Sequence, residues 1–380
     1  MKELLVSEQI KWITETWDKV EDKLSVVALR SRDKIPFWSK DGIHDDIKEE
    51  GINCWTNGFW PGLMWLMYSV TDKEEYRKTA ENIEEYLDRA LMNYSGLGHD
   101  VGFIWRLASG ADYQLTGSKK AKNRQSIAAN HLMARFNPTG EFLRAWNIER
   151  DGEKTTGWTI IDTMMNLPIL YWASEEYEDP RFKDVAMKHA DKTMLNHLRP
   201  DGSVRHIVKY EPETGEIVGE NAGQGYGIGS SWSRGQAWAV YGFVLSYIHT
   251  GKKEYLDTAK KVAHYFIACV CKDWLPRQDF RAEEEYIYDA SAGLIAACGM
   301  IEIAKLVPAH EKKLYINTAM KLIMTIEKEW ADWSTDTDFI IKMSTGSYNN
   351  KTSHNTYLIY ADYYFVEALY KLKGGELLFW

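Results

Sequence analysis

Several features are scarce in this sequence, and each scarcity removes a class of protein. Cysteine occurs four times, at Cys54, Cys269, Cys271 and Cys298, with no CxxC pair and no metal-ligand spacing. That argues against a disulfide framework and reads as reduced, mostly buried thiols in a cytoplasmic protein. No HxxxH pattern or Asp/Glu/His cluster has the spacing a metal site needs, so neither metal nor cofactor is expected. No apolar run reaches the roughly 18 residues of a membrane span. The opening "MKELLVSEQIKWITETW" carries acidic residues where a secretory signal needs a basic segment and then an apolar one. Net charge is −9 and there is no Lys/Arg block or RNA-binding motif, so nucleic acid is not an expected partner.

What is abundant is apolar and aromatic. Of 380 residues 45% are hydrophobic, enough for a large core, and the 16 Trp add faces that stack well on the C–H faces of sugars. Length alone would allow two domains, but barrels of this size often count as one. An apolar segment, a short turn and an amphipathic segment recur along the chain, with turns such as "YSVTDKEEYRKTA", "YEDPRFKDVA" and "IHTGKKEYLDTA". Their uneven spacing argues against a stacked solenoid. Segments after the turns show the i, i+3, i+4 alternation of surface helices, whereas those before them, such as "SRGQAWAVYGFVLSYI", are apolar nearly all round and must be buried on most sides. Buried helices are expected near 57–70, 101–116, 161–175, 233–249, 290–306 and 356–372. Five surface helices follow the turns and a sixth, "SEQIKWITETWDKVEDKL", opens the chain. Six inner and six outer helices predict an all-α fold, a single (α/α)6 barrel spanning 1–380, with an open helical solenoid as the alternative. A less helical stretch near 196–231 reads as a β-hairpin, turning at Glu213–Gly215, followed by the glycine-rich loop "NAGQGYGIGSS". The glycines lack the spacing and βαβ context of a nucleotide fingerprint.

In such a barrel the inner helices run parallel, so their N-termini gather at one end. That places Trp55, Asn57, His99, Asp100, Asp162, Trp232, Ser233, Arg234, Asp289 and Ser291 around one opening. Helix capping explains any one Asp, Asn or Ser there, and is the expected role of Asn57 and Asp289. Asp162 is harder to dismiss. It is the only charge in "GWTIIDTMMNLPILYW", where a carboxylate must be bonded, cap a helix, or be wanted for perturbed acidity. Arg234 beside an apolar helix start wants an anion, and an arginine fork with a helix N-terminus makes a carboxylate receptor. In the hairpin, His206 shares a face with Val204 and Val208, where a structural histidine is the default. His189, His197 and His264 read as surface or core-rim residues.

Five segments, "WTNGFWPGLMWLMY", "GHDVGFIW", "TIIDTMMNLPILYWAS", "SSWSRGQAWAVYGF" and "YADYYFVEALYKL", closely resemble the unsaturated glucuronyl hydrolases, glycoside hydrolase family 88, in the same order along almost the whole chain. The resemblance implies an (α/α)6 barrel acting on unsaturated uronic-acid disaccharides or short oligosaccharides left by polysaccharide lyases, without cofactor, as a monomer or homodimer. It implies that Asp162 is the general acid/base and Asp100 the second essential carboxylate. Trp55, His99, Trp146, His206, Gln224, Trp232, Arg234 and Trp238 fall on positions that line the sugar site, with Arg234 and His206 holding the uronate. Members preferring sulfated fragments carry Ser-x-x-Ser-x-Lys near the C-terminus. Here "STGSYNNKTSHN" offers Ser344, Ser347 and Lys351 at a different spacing, which leaves sulfation preference open. An unsaturated rhamnogalacturonyl hydrolase, a sugar epimerase of the same fold and a non-catalytic sugar-binding barrel stand as alternatives. Such epimerases rely on a pair of histidines at the mouth, and only His99 stands at an inner-helix start.

Overall fold

A computed structural model describes residues 2–93, 96–150, 152–284 and 286–380. Its helices are α1 (Ser7–Arg30), α2 (Phe59–Thr71), α3 (Glu74–Leu91), α4 (Val101–Trp105), α5 (Ser109–Thr116), α6 (Lys119–Met133), α7 (Pro168–Tyr177), α8 (Pro180–Asn196), α9 (Ser233–Thr250), α10 (Lys253–Val270), α11 (Ala290–Leu306), α12 (Ala309–Trp330) and α13 (Ile359–Lys373).

The division into buried and amphipathic helices follows the sequence pattern. Every residue of α9 from Ser233 to Ser246 is buried, as is α11 from Ala290 to Ala304. In α10, by contrast, burial is confined to a stripe through Tyr255, Leu256, Ala259, Val262, Ala263 and Phe266, the periodicity of a helix with one wet face. The inner ring runs α2, α4 with α5, α7, α9, α11 and α13, and α13 packs back on α2 to close it. Around it α3, α6, α8, α10 and α12 pack on their preceding inner helices, and α1 packs on α13. The fold is an (α/α)6 barrel. Closure is fastened by polar contacts as well. Lys23 on α1 donates to the carbonyls of Asp332 (2.7 Å) and Ser334 (2.9 Å), and Trp38–Ser39 pairs antiparallel with Tyr357–Leu358.

Two inner helices differ from the continuous segments expected. The 101–116 helix breaks between Trp105 and Ser109, and 161–175 opens as a tight 3₁₀ turn, Ile161–Met165, before α7 starts at Pro168. Proline has no N–H to continue the preceding ladder but suits the first helical turn, so the register restarts there. The hairpin forms at Ile207–Tyr210 and Ile217–Asn221, with Gly215 in the left-handed region at φ 75°. A third strand was not foreseen. Trp158–Ile160 pairs antiparallel with Ile207–Tyr210, and the Ile161 N–H continues the ladder to the His206 carbonyl (3.0 Å). This sheet brings the hairpin against the turn that carries Asp162.

Candidate active site

Asp162 is the second residue of its 3₁₀ turn, whose N-cap is Ile160, so it does not cap. Its Oδ1 is buried without a hydrogen-bond partner, while its backbone carbonyl accepts from the Asn166 amide (3.2 Å). With the side chain 14% exposed, little water reaches it. Burial is the largest influence on its acidity and the charge of Asp100 the next; together they push its pKa up to about 7, against the opposing pull of His99 and Arg234. Of the three roles the sequence left open, perturbed acidity is the one the geometry keeps.

Asp100 reaches the same spot from the start of α4. The two segments abut because Gly102 has no side chain, and a Cβ there would fall 2.7 Å from the Asn166 Cα. The Asn166 Oδ1 accepts the Phe103 N–H (2.8 Å) and pins the contact. His99 Nδ1 lies 3.0 Å from the Ala145 carbonyl, and its Nε2 lies 3.0 Å from Asp100 Oδ1 without hydrogen-bond alignment. The hairpin supplies His206, whose Nε2 is 3.8 Å from Asp162 Oδ1. Its Nδ1 lies 3.1 Å from the Ala222 carbonyl and 3.0 Å from the Gln224 N–H, an approach that a side chain at Gly223 would block. Burial lowers the His206 pKa to about 3, so this ring is neutral at ordinary pH. A structural histidine was the residue-level expectation for this position, yet His206 stands beside Asp162. The scarcity of mouth histidines therefore no longer argues against an epimerase.

Two adjoining cavities of about 270 and 450 Å³ form a cleft beside this group, lined by Asp100 and His206, with Asp162 and His99 set behind the lining. Trp55 and Asp100 line the first, His206, Gln224 and Ser347 the second, and Trp146 and Arg150 both. Not every predicted sugar contact is placed to make one. Trp238 is fully buried beneath Trp55, ring centroids 6.3 Å apart, and Trp232 is buried against His206 at 4.1 Å. Neither lines the cleft; they shape its floor. Gln224 lines the cleft, but its amide nitrogen is engaged by the Gly346 carbonyl (2.6 Å).

Arg234 corrects the sequence reading more sharply. Its anion is Asp289, bonded through Nη1, which also donates to the Thr345 carbonyl (2.7 Å), while Nη2 donates to that of Gly346 (2.8 Å). The side chain is 1% exposed and only Nε lacks a partner, so the guanidinium is committed to the protein rather than offered as a fork to a uronate. Asp289 and Asn57 do not cap by side-chain bonds either. Asp289 accepts from Arg234 and Ser291, and the Asn57 amide donates to the carbonyls of Gly51 and Ile52.

Tyr360 and Arg150 were missed. Tyr360 packs 4.8 Å from Trp55 and lies under the Arg234 guanidinium (5.3 Å); it opens the quoted segment "YADYYFVEALYKL", where its place at an inner-helix start was the available signal. Arg150 lies in a loop with no periodicity to mark it. Among the described residues there is no group of His, Cys, Asp and Glu that could hold a metal.

A helical barrel whose mouth holds a buried carboxyl of raised pKa beside a second carboxyl, next to a cleft lined by tryptophans, has what an acid-catalysed sugar hydrolase needs. Residues 30–272 match the model of Glycosyl Hydrolase Family 88, and the chain belongs to that family. It is 33% identical over 374 residues to the unsaturated glucuronyl hydrolase of Bacillus sp. strain GL1, covering 95% of this chain and 97% of that one. It is 31% identical to the unsaturated chondroitin disaccharide hydrolase of Streptococcus pneumoniae, over 86% of this chain and 83% of the relative. The crystal structure of the unsaturated glucuronyl hydrolase from Bacillus sp. GL1, described as responsible for the degradation of glycosaminoglycan, superposes with a TM-score of 0.89 at 32% identity, over 94% of this chain and 96% of that one.

Proposed function

We propose that this glycoside hydrolase acts by hydrating the C4=C5 double bond of an unsaturated uronic acid at the non-reducing end of a disaccharide or short oligosaccharide. The bond is an enol ether, because the ring oxygen sits on C5. Asp162 delivers its proton to C4, and the positive charge that develops on C5 is shared with the ring oxygen. The carboxylate so formed then takes a proton from water as that water adds to C5. The hemiketal opens, and the hemiacetal left at C1 collapses to release the neighbouring sugar. One acid thus serves as donor and then as base, unlike the two-carboxylate scheme in which the glycosidic oxygen is protonated. Burial keeps Asp162 protonated and the like charge of Asp100 adds to it; Asp100, beside His99, is also placed to meet the sugar.

The observation that carries this reading is a buried carboxyl whose Oδ1 has no hydrogen-bond partner and whose pKa is raised to about 7, close to where a general acid works best at neutral pH. Trp55 and Trp146 supply sugar-facing aromatic surface along the cleft. A continuous hydrophobic cluster from Leu5 to Trp380 supports reading 1–380 as one catalytic domain. The expected mostly buried thiols are found only at Cys298, with Cys54 half-buried and Cys269 and Cys271 exposed; exposed free thiols fit a reducing, cytoplasmic setting.

Ultraviolet absorbance of the conjugated double bond gives the test. On an unsaturated chondroitin disaccharide the absorbance decays with enzyme and the free amino sugar appears in step. A flat trace across chondroitin, heparin, hyaluronan, gellan, ulvan and pectin disaccharides defeats the proposal, and a substrate epimerised with its double bond intact identifies an epimerase instead.

A further inference from the structure

The substrate class proposed above is anionic and the chain carries a net −9, so a cation facing the ligand would offset the repulsion. The two groups first assigned to that task do not serve it. Arg234 is bonded to Asp289 and two carbonyls, and His206 is neutral. Among the described residues lining the two cavities, Arg150 is the one lysine or arginine, and it borders both. Lys351 is exposed outside that lining.

Its position is built rather than incidental. The guanidinium carbon lies 3.8 Å from the Trp146 ring centroid, a stacked cation–π geometry that holds the planar fork at the cleft junction. Beneath it the Thr155 hydroxyl lies within bonding distance of the carbonyls of Trp146 (3.2 Å) and Ile148 (2.6 Å), and Arg150 and Glu153 exchange backbone hydrogen bonds of 3.0 and 2.9 Å. The loop is therefore pinned at both ends of the stack.

Depth decides which part of the substrate this cation meets. Asp162 must touch C4 of the unsaturated ring, and it is 14% exposed, set deep beside His206, which lines the second cavity. Arg150 is exposed at the rim. A sugar whose C4 rests on Asp162 points its glycosidic oxygen, and the residue beyond it, outward toward that rim. We propose that Arg150 is a specificity-determining residue that favours an oxyanion, a sulfate ester or a carboxylate, on the sugar next to the unsaturated uronate. This inference rests on the hydration reading, and the test separates the two.

The measurement is kcat/KM on unsaturated chondroitin disaccharides that are unsulfated, 4-sulfated or 6-sulfated, for the wild type, Arg150→Gln and Arg150→Lys, with a uronate-linked oligosaccharide as the carboxylate arm. The wild type is expected to favour at least one anionic leaving sugar by about tenfold, the scale of one charge-assisted contact, and chiefly through KM. In Arg150→Gln that ratio falls toward one, and Arg150→Lys keeps part of it. Raising the ionic strength erodes the wild-type ratio but not that of Arg150→Gln. A wild-type ratio at or below one overturns the inference. So does a ratio that survives Arg150→Gln, including a parallel fall on every substrate, which would assign Arg150 to the uronate or to loop shape. Turnover of the unsulfated disaccharide by the wild type upholds the hydration reading whichever way the ratios fall.

Discussion

Asp162 and Asp289 begin from the same circumstances and end in opposite chemistry. Each is an aspartate at the start of an inner helical segment, at the same end of the barrel, and burial is the largest influence raising the pKa of each. Asp289 is fully buried, yet every opportunity around it is filled: Arg234 bonds Oδ2 and the Ser291 hydroxyl bonds Oδ1. The next influence on its acidity after burial is that arginine, which pulls the pKa down. For Asp162 the next influence is Asp100, which pushes it further up, and the smaller downward pulls of His99 and Arg234 do not cancel it. Burial lifts both carboxyls, and the charges around them set how far: at Asp289 an arginine opposes the lift, at Asp162 a second carboxylate adds to it.

The comparison breaks most readily at Asp162. Asp162→Asn keeps the shape and removes the proton donor, so turnover should fall by roughly 10²–10⁴-fold, the range for a general acid–base group, while binding of the unsaturated disaccharide survives. Calorimetric binding beside the absorbance assay checks both halves; a variant within a few-fold of wild type would end the assignment. The converse substitution belongs to stability. Asp289→Ala leaves Arg234 buried without its counter-ion, a loss of about 3–5 kcal/mol when one partner of a buried pair is removed. Urea unfolding should show it as a lower midpoint, and an unshifted midpoint would mean that the two aspartates are not opposites at all.

Much of this contrast was legible before any coordinates, but not its cause. The inner helices announced themselves because a segment such as "DASAGLIAACGMIEIA" has no polar face to offer solvent, and Asp162 stood out as one charge in an apolar run. Periodicity could not show that Trp158–Ile160 joins the hairpin, because three residues are too short a window to separate a strand from a helix start. With that strand unseen, His206 looked structural, although the sheet carries it to within 3.8 Å of Asp162. Arg234 was found as a lone cation, but its partner lies 55 residues along the chain, and no local rule pairs residues at that distance. Arg150 sits in a loop, where side-chain placement comes from tertiary contacts alone.

A pH series on stability sharpens the comparison further. Asp162 has a folded-state pKa of about 7 against an ordinary value near 3.8, so the folded protein holds its proton more tightly than the unfolded chain does. The stability that this proton confers is complete below the unfolded pKa and is lost as pH rises through about 7. Asp162→Asn never ionises. It should match wild type at about pH 4 and below and exceed it near pH 8, by up to about 4 kcal/mol if the whole shift is realised. Equal unfolding midpoints at both extremes would show that the carboxyl is not held protonated.

The smallest effect isolates the like-charge neighbour. Asp100→Asn removes the second-largest influence raising the Asp162 pKa and leaves the first, burial, in place. Asp162 should then lose its proton at lower pH, and the alkaline limb of the remaining activity should move down by roughly one unit, the low end of what a nearby charge does. Because Asp100 also faces the cleft, the rate itself will drop, and the position of the limb rather than its height is the readout. Stability gives an independent check where activity is too weak to follow: the advantage of Asp162→Asn near pH 8 should shrink when the substitution is made in an Asp100→Asn background. A limb that stays in place, together with an undiminished advantage, would make burial the sole cause of the raised acidity and reduce the difference between Asp162 and Asp289 to the presence of Arg234.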